Sequence, residues 1–338
     1  MTQRKLTRRQ AWRIQRIQEE RQRRAARRGT NADALLYSNQ LGLEQHGLLI
    51  SHYGATLEVE AADSTTNRCV ARQNLGALVT GDHVVWRSDR HGGGVVVAVL
   101  PRRSALARPS SSGTLKPVAA NIDQVLIVAA PIPALNESMI DRYIVAAETT
   151  GLAPVVVLNK IDLLSGQERN EFDARLSIYR DVGYSVVKAS TVQAHGLDGL
   201  LAQLKGKTSV FVGQSGVGKS SLIGTLLPDE DLRTGAVSAS TGKGRHTTSV
   251  SRLYHLPGGG SLIDSPGVRD FALWSMSPES VAQGFREFRP FLGQCRFRNC
   301  AHGDEPGCAL QEAASKGQIS ARRLNSYHAI VASLADGR

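Results

Sequence analysis

The segment Gly213-Gln-Ser-Gly-Val-Gly-Lys219-Ser220 follows the apolar run TSVFV and opens the helix-forming stretch SSLIGTLL. It fits the pattern G-x4-G-K-[ST], whose glycines turn backbone N–H groups inward around phosphate oxygens at a helix N-terminus. Strand, glycine loop and helix in that order constrain the surrounding chain to an α/β sheet with ligands at the carboxyl ends of its strands. Gly213, Gln214, Ser215, Gly216, Val217, Gly218, Lys219, Ser220 and Ser221 are therefore candidates for a phosphate cradle. In such a loop Lys219 reaches the β and γ phosphates and the Ser220 hydroxyl binds Mg²⁺.

A phosphate loop leaves adenine and guanine equally open. Asn159-Lys160-Ile161-Asp162 closes the run PVVVL. A carboxylate at Asp162 accepts from guanine N1–H and from the exocyclic amine, two donors that adenine does not offer together. Asn159 is placed to brace the neighbouring loop and the Lys160 stem to lie along the purine. Val187-Lys188-Ala189-Ser190 ends the following strand, which sets the Ala189 N–H against the guanine carbonyl. Asp264-Ser-Pro-Gly267 follows SLI, with Asp264 reaching Mg²⁺ through water and the Gly267 N–H meeting the γ-phosphate.

Around these motifs, continuous apolar strands alternate with helices near 138–149, 168–181, 197–204 and 219–227, the pattern of a parallel sheet covered on both faces. Residues 46–100 instead show short alternating runs broken by Gly and Asp, which predicts a small all-β barrel or sandwich. The stretch PRRSALARPSSSGTLKP (101–117) reads as a linker. At 338 residues several domains are expected, divided as 1–34, 35–105, 106–276 and 277–338.

Residues 1–30 hold eleven Lys and Arg against Glu19 and Glu20, so most of the net charge of +11 sits in one terminal arm. Such an arm neutralises phosphates and releases their counterions. No run approaches the ~18 to 20 apolar residues of a membrane helix, and no signal peptide opens the chain, so a cytoplasmic protein without a membrane partner is expected. Cys295-x4-Cys300-x-His302-x5-Cys308 offers three thiolates and an imidazole, a complete tetrahedral set for one structural Zn²⁺. Cys69 stands alone in the β region and reads as core. Arg68, Arg72, Arg87, Arg90, Arg296, Arg298, Arg322 and Arg323 are candidate RNA phosphate contacts.

In ordinary GTPases the phosphate loop precedes the NKxD motif; here NKID and KAS come first. That permuted order, with the upstream β region and the downstream Cys-His cluster, resembles the ribosome small-subunit-dependent GTPases of bacteria, the RsgA family, also called YjeQ or YloQ. The resemblance implies an OB-fold barrel, a circularly permuted GTPase domain and a C-terminal α-helical zinc-binding domain. It implies GTP hydrolysis to GDP and phosphate during late subunit maturation, stimulated by the small subunit and its rRNA, by a chain expected to be monomeric.

The segment Gly244-Arg-His246-Thr-Thr248 matches the first switch loop of that family. Thr248, or else Thr247, completes the Mg²⁺ shell. His246 is the candidate for positioning water, because Val268 stands where many GTPases carry a water-orienting Gln. That valine also raises an alternative, a GTP-gated RNA-binding factor with negligible hydrolysis. An ATP-dependent nucleic-acid enzyme is the other alternative, and NKID argues against it.

Overall fold

The computed structural model describes residues 41–54, 56–90, 92–109, 115–228, 251–264 and 276–335. The basic arm and the expected switch segment 244–248 lie outside these residues. Two compact units meet between Arg102 and Arg103. Among the described residues no helix is long and apolar enough to cross a membrane.

The first unit is a five-stranded barrel of β1 (Glu44–Tyr53), β2 (Thr56–Ala61), β3 (Thr66–Ala71), β4 (His83–Ser88) and β5 (Gly93–Val99). β1 pairs antiparallel with both β2 and β4, β2 with β3, and β4 with β5. The parallel β3–β5 pair closes the ring, which gives the OB-type order and leaves no free edge. Leu49, Leu57, Val59, Cys69, Val84, Trp86 and Val96 fill it. Gly94 lacks a side chain because the Trp86 ring lies across it; a Cβ there would sit 2.7 Å from Trp86 Cε3. Burial pushes the Cys69 thiol up to about 12, as suits a core residue. Below the barrel, Arg102 grips the buried Asp82 carboxylate with two bonds, at 2.6 and 2.9 Å.

The second unit begins with β6 (Ala105–Pro109) paired antiparallel to β7 (Leu115–Ala120). The expected linker thus contains strands; their pairing shifts register between Leu106 and Ala107, which erases the period-2 pattern that would have announced them. β8 (Gln124–Ala129), β9 (Ala153–Leu158), β10 (Ser185–Lys188), β11 (Thr208–Val212), β12 (Arg252–His255) and β13 (Ser261–Asp264) follow. They form a sheet in the order β10-β9-β8-β11-β13-β12, parallel except for β12.

Among the described residues, α1 (Glu137–Thr149), α2 (Gly166–Asp181), α3 (Asp198–Leu204) and α4 (Lys219–Leu226) connect these strands. Asn136 caps α1 by accepting from the Met139 N–H, and Ser165 with Glu168 forms a capping box on α2. Leu126, Val128, Val155, Val157, Phe211, Leu222 and Leu262 join strands and helices in one core.

The C-terminal helices α5 (Pro278–Gly284), α6 (Ala309–Ser315) and α7 (Ala321–Ala335) belong to this same unit. Gly284 lies against Val145 of α1 with no room for a Cβ between them. Phe285, Phe288 and Tyr327 stack around one another at 4.6 to 6.0 Å between ring centres.

Candidate functional site

The phosphate loop is held open by glycines in the left-handed region, Gly213 at φ +134°, Gly216 at +85° and Gly218 at +96°. A Cβ at Gly213 would strike the Val128 carbonyl of β8, and one at Gly218 would strike the Asn159 amide. α4 begins at Lys219 with no side-chain cap, so its first N–H groups remain donors for an anion. Lys219 Nζ curls over the loop and donates to the Gly213 and Gln214 carbonyls at 2.6 and 2.7 Å. Ser215, Gly216, Ser220 and Ser221 are reachable from solvent, while Val217 is buried beneath them.

On the base side, Asn159 is buried at the end of β9 and its Nδ2 donates to the Val217 carbonyl at 2.9 Å. The two motifs are thereby tied across β8. Lys160 adopts φ +58° and its Nζ reaches the carbonyls of Ile132 at 2.9 Å and Gly216 at 2.6 Å. Asp162 is half-buried in a short 3-10 turn, and its Oδ1 accepts from Ser190 Oγ at 2.6 Å. Ser190 therefore orients the carboxylate.

Ala189 behaves otherwise than expected. Its N–H is committed to the Leu158 carbonyl at 2.8 Å and the residue is fully buried, so the ladder between β9 and β10 runs one residue further than the apolar pattern suggests. Among the described residues the Thr191 N–H has no acceptor, which makes it the first free amide beyond the strand. Asp264 ends β13, beside β11, on the same sheet edge as Gly213. Gly267, Val268, His246, Thr247 and Thr248 lie outside the described residues.

Cys295, Cys300, His302 and Cys308 converge, with their ligand atoms all within 4.8 Å of one another. His302 Nδ1 lies 3.5 Å from Cys295 Sγ and 3.7 Å from Cys308 Sγ. Zinc bonds of about 2.3 Å to sulfur and 2.0–2.1 Å to nitrogen set tetrahedral edges near 3.6 Å, so the donor set fits such an ion. The N–H groups of Ala309 and His302 approach Cys295 Sγ and Cys300 Sγ, both at 3.4 Å. Burial pushes the Cys300 thiol up to about 12 when no cation is present; a coordinated cation reverses that preference.

Three of the candidate RNA-binding arginines make contacts within the protein. Arg323 is fully buried, with Nη1 on Asp141 and Nε on Glu287, both at 2.6 Å. Arg322 lies over the Tyr179 ring near Glu137 and Asp141. Buried acids of the same unit claim these cations before any phosphate can. Arg87 likewise donates to the Gly42 and Leu41 carbonyls. Arg68, Arg296 and Arg298 stay exposed.

A glycine loop of the phosphate-binding pattern after β11, an Asn-Lys-Ile-Asp turn after β9 and a mostly parallel sheet in which that turn precedes the loop in the chain define the class of circularly permuted P-loop GTPases. The RsgA GTPase family model matches residues 99–274. Curated relatives named small ribosomal subunit biogenesis GTPase RsgA, from Azotobacter vinelandii and Pseudomonas aeruginosa, are each 53% identical, with 99% of both chains covered. The crystal structure of YjeQ from Thermotoga maritima is 32% identical with a TM-score of 0.73, covering 88% of this chain and all of that one. YloQ, described as a circularly permuted GTPase, is 26% identical with a TM-score of 0.70, covering 88% of this chain and 96% of that one. The chain belongs to the RsgA GTPase family.

Proposed function

We propose that this GTPase binds the small ribosomal subunit through its rRNA and hydrolyses GTP to GDP and phosphate in response, during late subunit maturation. The observation that carries the reading is the Ser190–Asp162–Asn159–Val217 linkage, which fixes a guanine-reading carboxylate to the phosphate loop. Gly213 through Ser221 cradle the phosphates. Lys219 leaves its two carbonyls for the β and γ oxygens. Asp162 accepts from the guanine edge, and the free Thr191 amide replaces Ala189 as donor to the guanine carbonyl. Ser220 and Thr248 hold Mg²⁺, with Asp264 behind a water, and the Gly267 N–H meets the γ-phosphate. Bound Mg²⁺ neutralises charge on the β and γ phosphates.

His246 positions the attacking water in place of the missing Gln. The family relationship favours hydrolysis over a nucleotide-gated binder without turnover. The Cys-His cluster holds one structural Zn²⁺, since four protein ligands leave no position for water. The protein acts in the cytoplasm as a monomer, with RNA bound by its arm (1–34), barrel (35–105) and C-terminal module (277–338) and GTP by the core (106–276).

Asp162→Asn tests the base assignment. The asparagine amide faces the guanine donors, so GTP affinity falls by about 10²-fold or more, given ~1.5–3 kcal/mol for each hydrogen bond to a charged group. Xanthosine triphosphate, with an oxygen in place of the exocyclic amine, binds the variant better than GTP does. Equal GTP affinity in the variant and the parent would remove Asp162 from the site. For the metal, emission spectroscopy of Cys300→Ser reads near-zero zinc against one ion in the parent, with the variant less stable by several kcal/mol. Retained zinc in the variant contradicts the ligand set.

A further inference from the structure

Between Cys300 and Cys308 the ligand loop of the Cys-His cluster has no regular structure, so its carbonyls have no ladder to pair with and need other donors. Three consecutive carbonyls find them on side chains of the C-terminal helices. The Tyr327 hydroxyl of α7 donates to the Ala301 carbonyl at 3.5 Å. His328 of α7 donates to the His302 carbonyl at 2.6 Å, and Gln311 of α6 to the Gly303 carbonyl at 2.9 Å. A carbonyl only accepts, so the His328 hydrogen sits on Nε2. The Glu305 carboxylate in turn accepts from the Ala301 N–H at 2.9 Å.

The shortest of these bonds falls on His302, which adopts φ +61°, a region that a residue with a Cβ enters only against steric resistance. That turn of the chain has a use. His302 meets the thiolates through Nδ1, 3.5 Å from Cys295 Sγ and 3.7 Å from Cys308 Sγ. Nδ1 is the ring nitrogen nearer the backbone, so it reaches the thiolates only when the main chain at 302 is itself brought close and turned toward them. Tyr327 also sets its ring against the His302 imidazole, with 6.1 Å between centres and 61° between planes.

We propose that His328 is a positioning residue of the metal site: its bond to the His302 carbonyl holds that residue in the left-handed conformation which directs Nδ1 to the ion, while Tyr327 and Gln311 steady the carbonyls on either side. Partners of this kind, one step beyond the ligands, fix ligand direction and raise metal affinity. The proposal rests on the reading that the Cys-His cluster holds Zn²⁺. It makes α7 part of the metal site although α7 carries none of the four ligands.

The test measures the zinc affinity of the full-length protein by competition with a chromogenic chelator, and the visible absorption of its cobalt form, which reports ligand number and geometry. His328→Leu keeps apolar bulk on α7 without the donor and lowers zinc affinity about 10- to 100-fold, with weakened and shifted cobalt bands. His328→Gln returns an N–H to the same carbonyl and restores affinity to within about threefold of the parent. Gln311→Met removes only the donor to Gly303 and lowers affinity about three- to tenfold. Parental zinc affinity and cobalt spectrum in His328→Leu overturn the proposal and leave the metal reading standing, since a histidine that merely packs α7 would change the melting temperature alone. Should His328→Leu fail to fold, parental affinity in Gln311→Met overturns it in the same way. A parent that takes up neither zinc nor cobalt overturns both.

Discussion

Lys219→Ala lowers single-turnover GTP hydrolysis by about 10³-fold at saturating nucleotide, the loss typical of removing a positioned charge from phosphoryl transfer. The Lys219 ammonium rests on the Gly213 and Gln214 carbonyls, neutral acceptors inside the loop itself. Phosphate oxygens, being charged, make the stronger bond to an ammonium, so the side chain is already in place and needs only to exchange partners. An alanine leaves the glycine geometry intact, because the positive φ angles belong to residues 213, 216 and 218 and not to 219. The variant therefore folds like the parent and loses rate. Rapid-quench measurement with labelled GTP reads the effect; hydrolysis within tenfold of the parent would exclude Lys219 from the transition state.

Arg323→Met destabilises the second unit by about 3–5 kcal/mol, the cost of stranding a buried charge. Arg323 joins Asp141 on α1 to Glu287 beside α5, and its guanidinium also covers the Phe285 ring at 4.5 Å. Asp141 is itself fully buried and depends on Arg323 and the Tyr179 hydroxyl, at 2.6 and 2.9 Å. Burial, with the Asp141 charge adding to it, holds the Tyr179 phenol well above its ordinary value, so that donor persists across the physiological range. For a unit of this size the loss appears as a melting-temperature drop of about 10 °C. Adding Asp141→Asn to Arg323→Met recovers part of the loss by removing one stranded carboxylate. A drop below about 1 kcal/mol would show that the C-terminal helices are held by apolar packing alone.

The same residues show which parts of the molecule were legible in the chain. The phosphate loop and NKID were readable because each is contiguous and sits at a strand end, where local pattern and function coincide. The α/β alternation was readable for the same reason, and helix limits near 149, 181, 204 and 227 fell within a residue of those found. Barrel type was not: alternation is common to OB and SH3-like folds, and only the parallel β3–β5 pairing decides between them. Ala189 was misassigned because an apolar run does not announce where its last ladder bond falls. Arg323 was taken for a surface contact because its partners lie 182 and 36 residues away. Nothing near it in sequence distinguishes a buried cation from a solvated one.

The coupling of guanine-specific hydrolysis to the small subunit is tested most directly by steady-state GTP and ATP turnover of the purified protein, with and without purified small ribosomal subunits. Turnover of GTP alone, slow by itself and rising by at least about tenfold with subunits present, is the expected result, since supplied activators accelerate such enzymes by up to 10³–10⁵. Hydrolysis of ATP at the GTP rate would contradict the Asp162 assignment, and GTP turnover indifferent to subunits would contradict the partner.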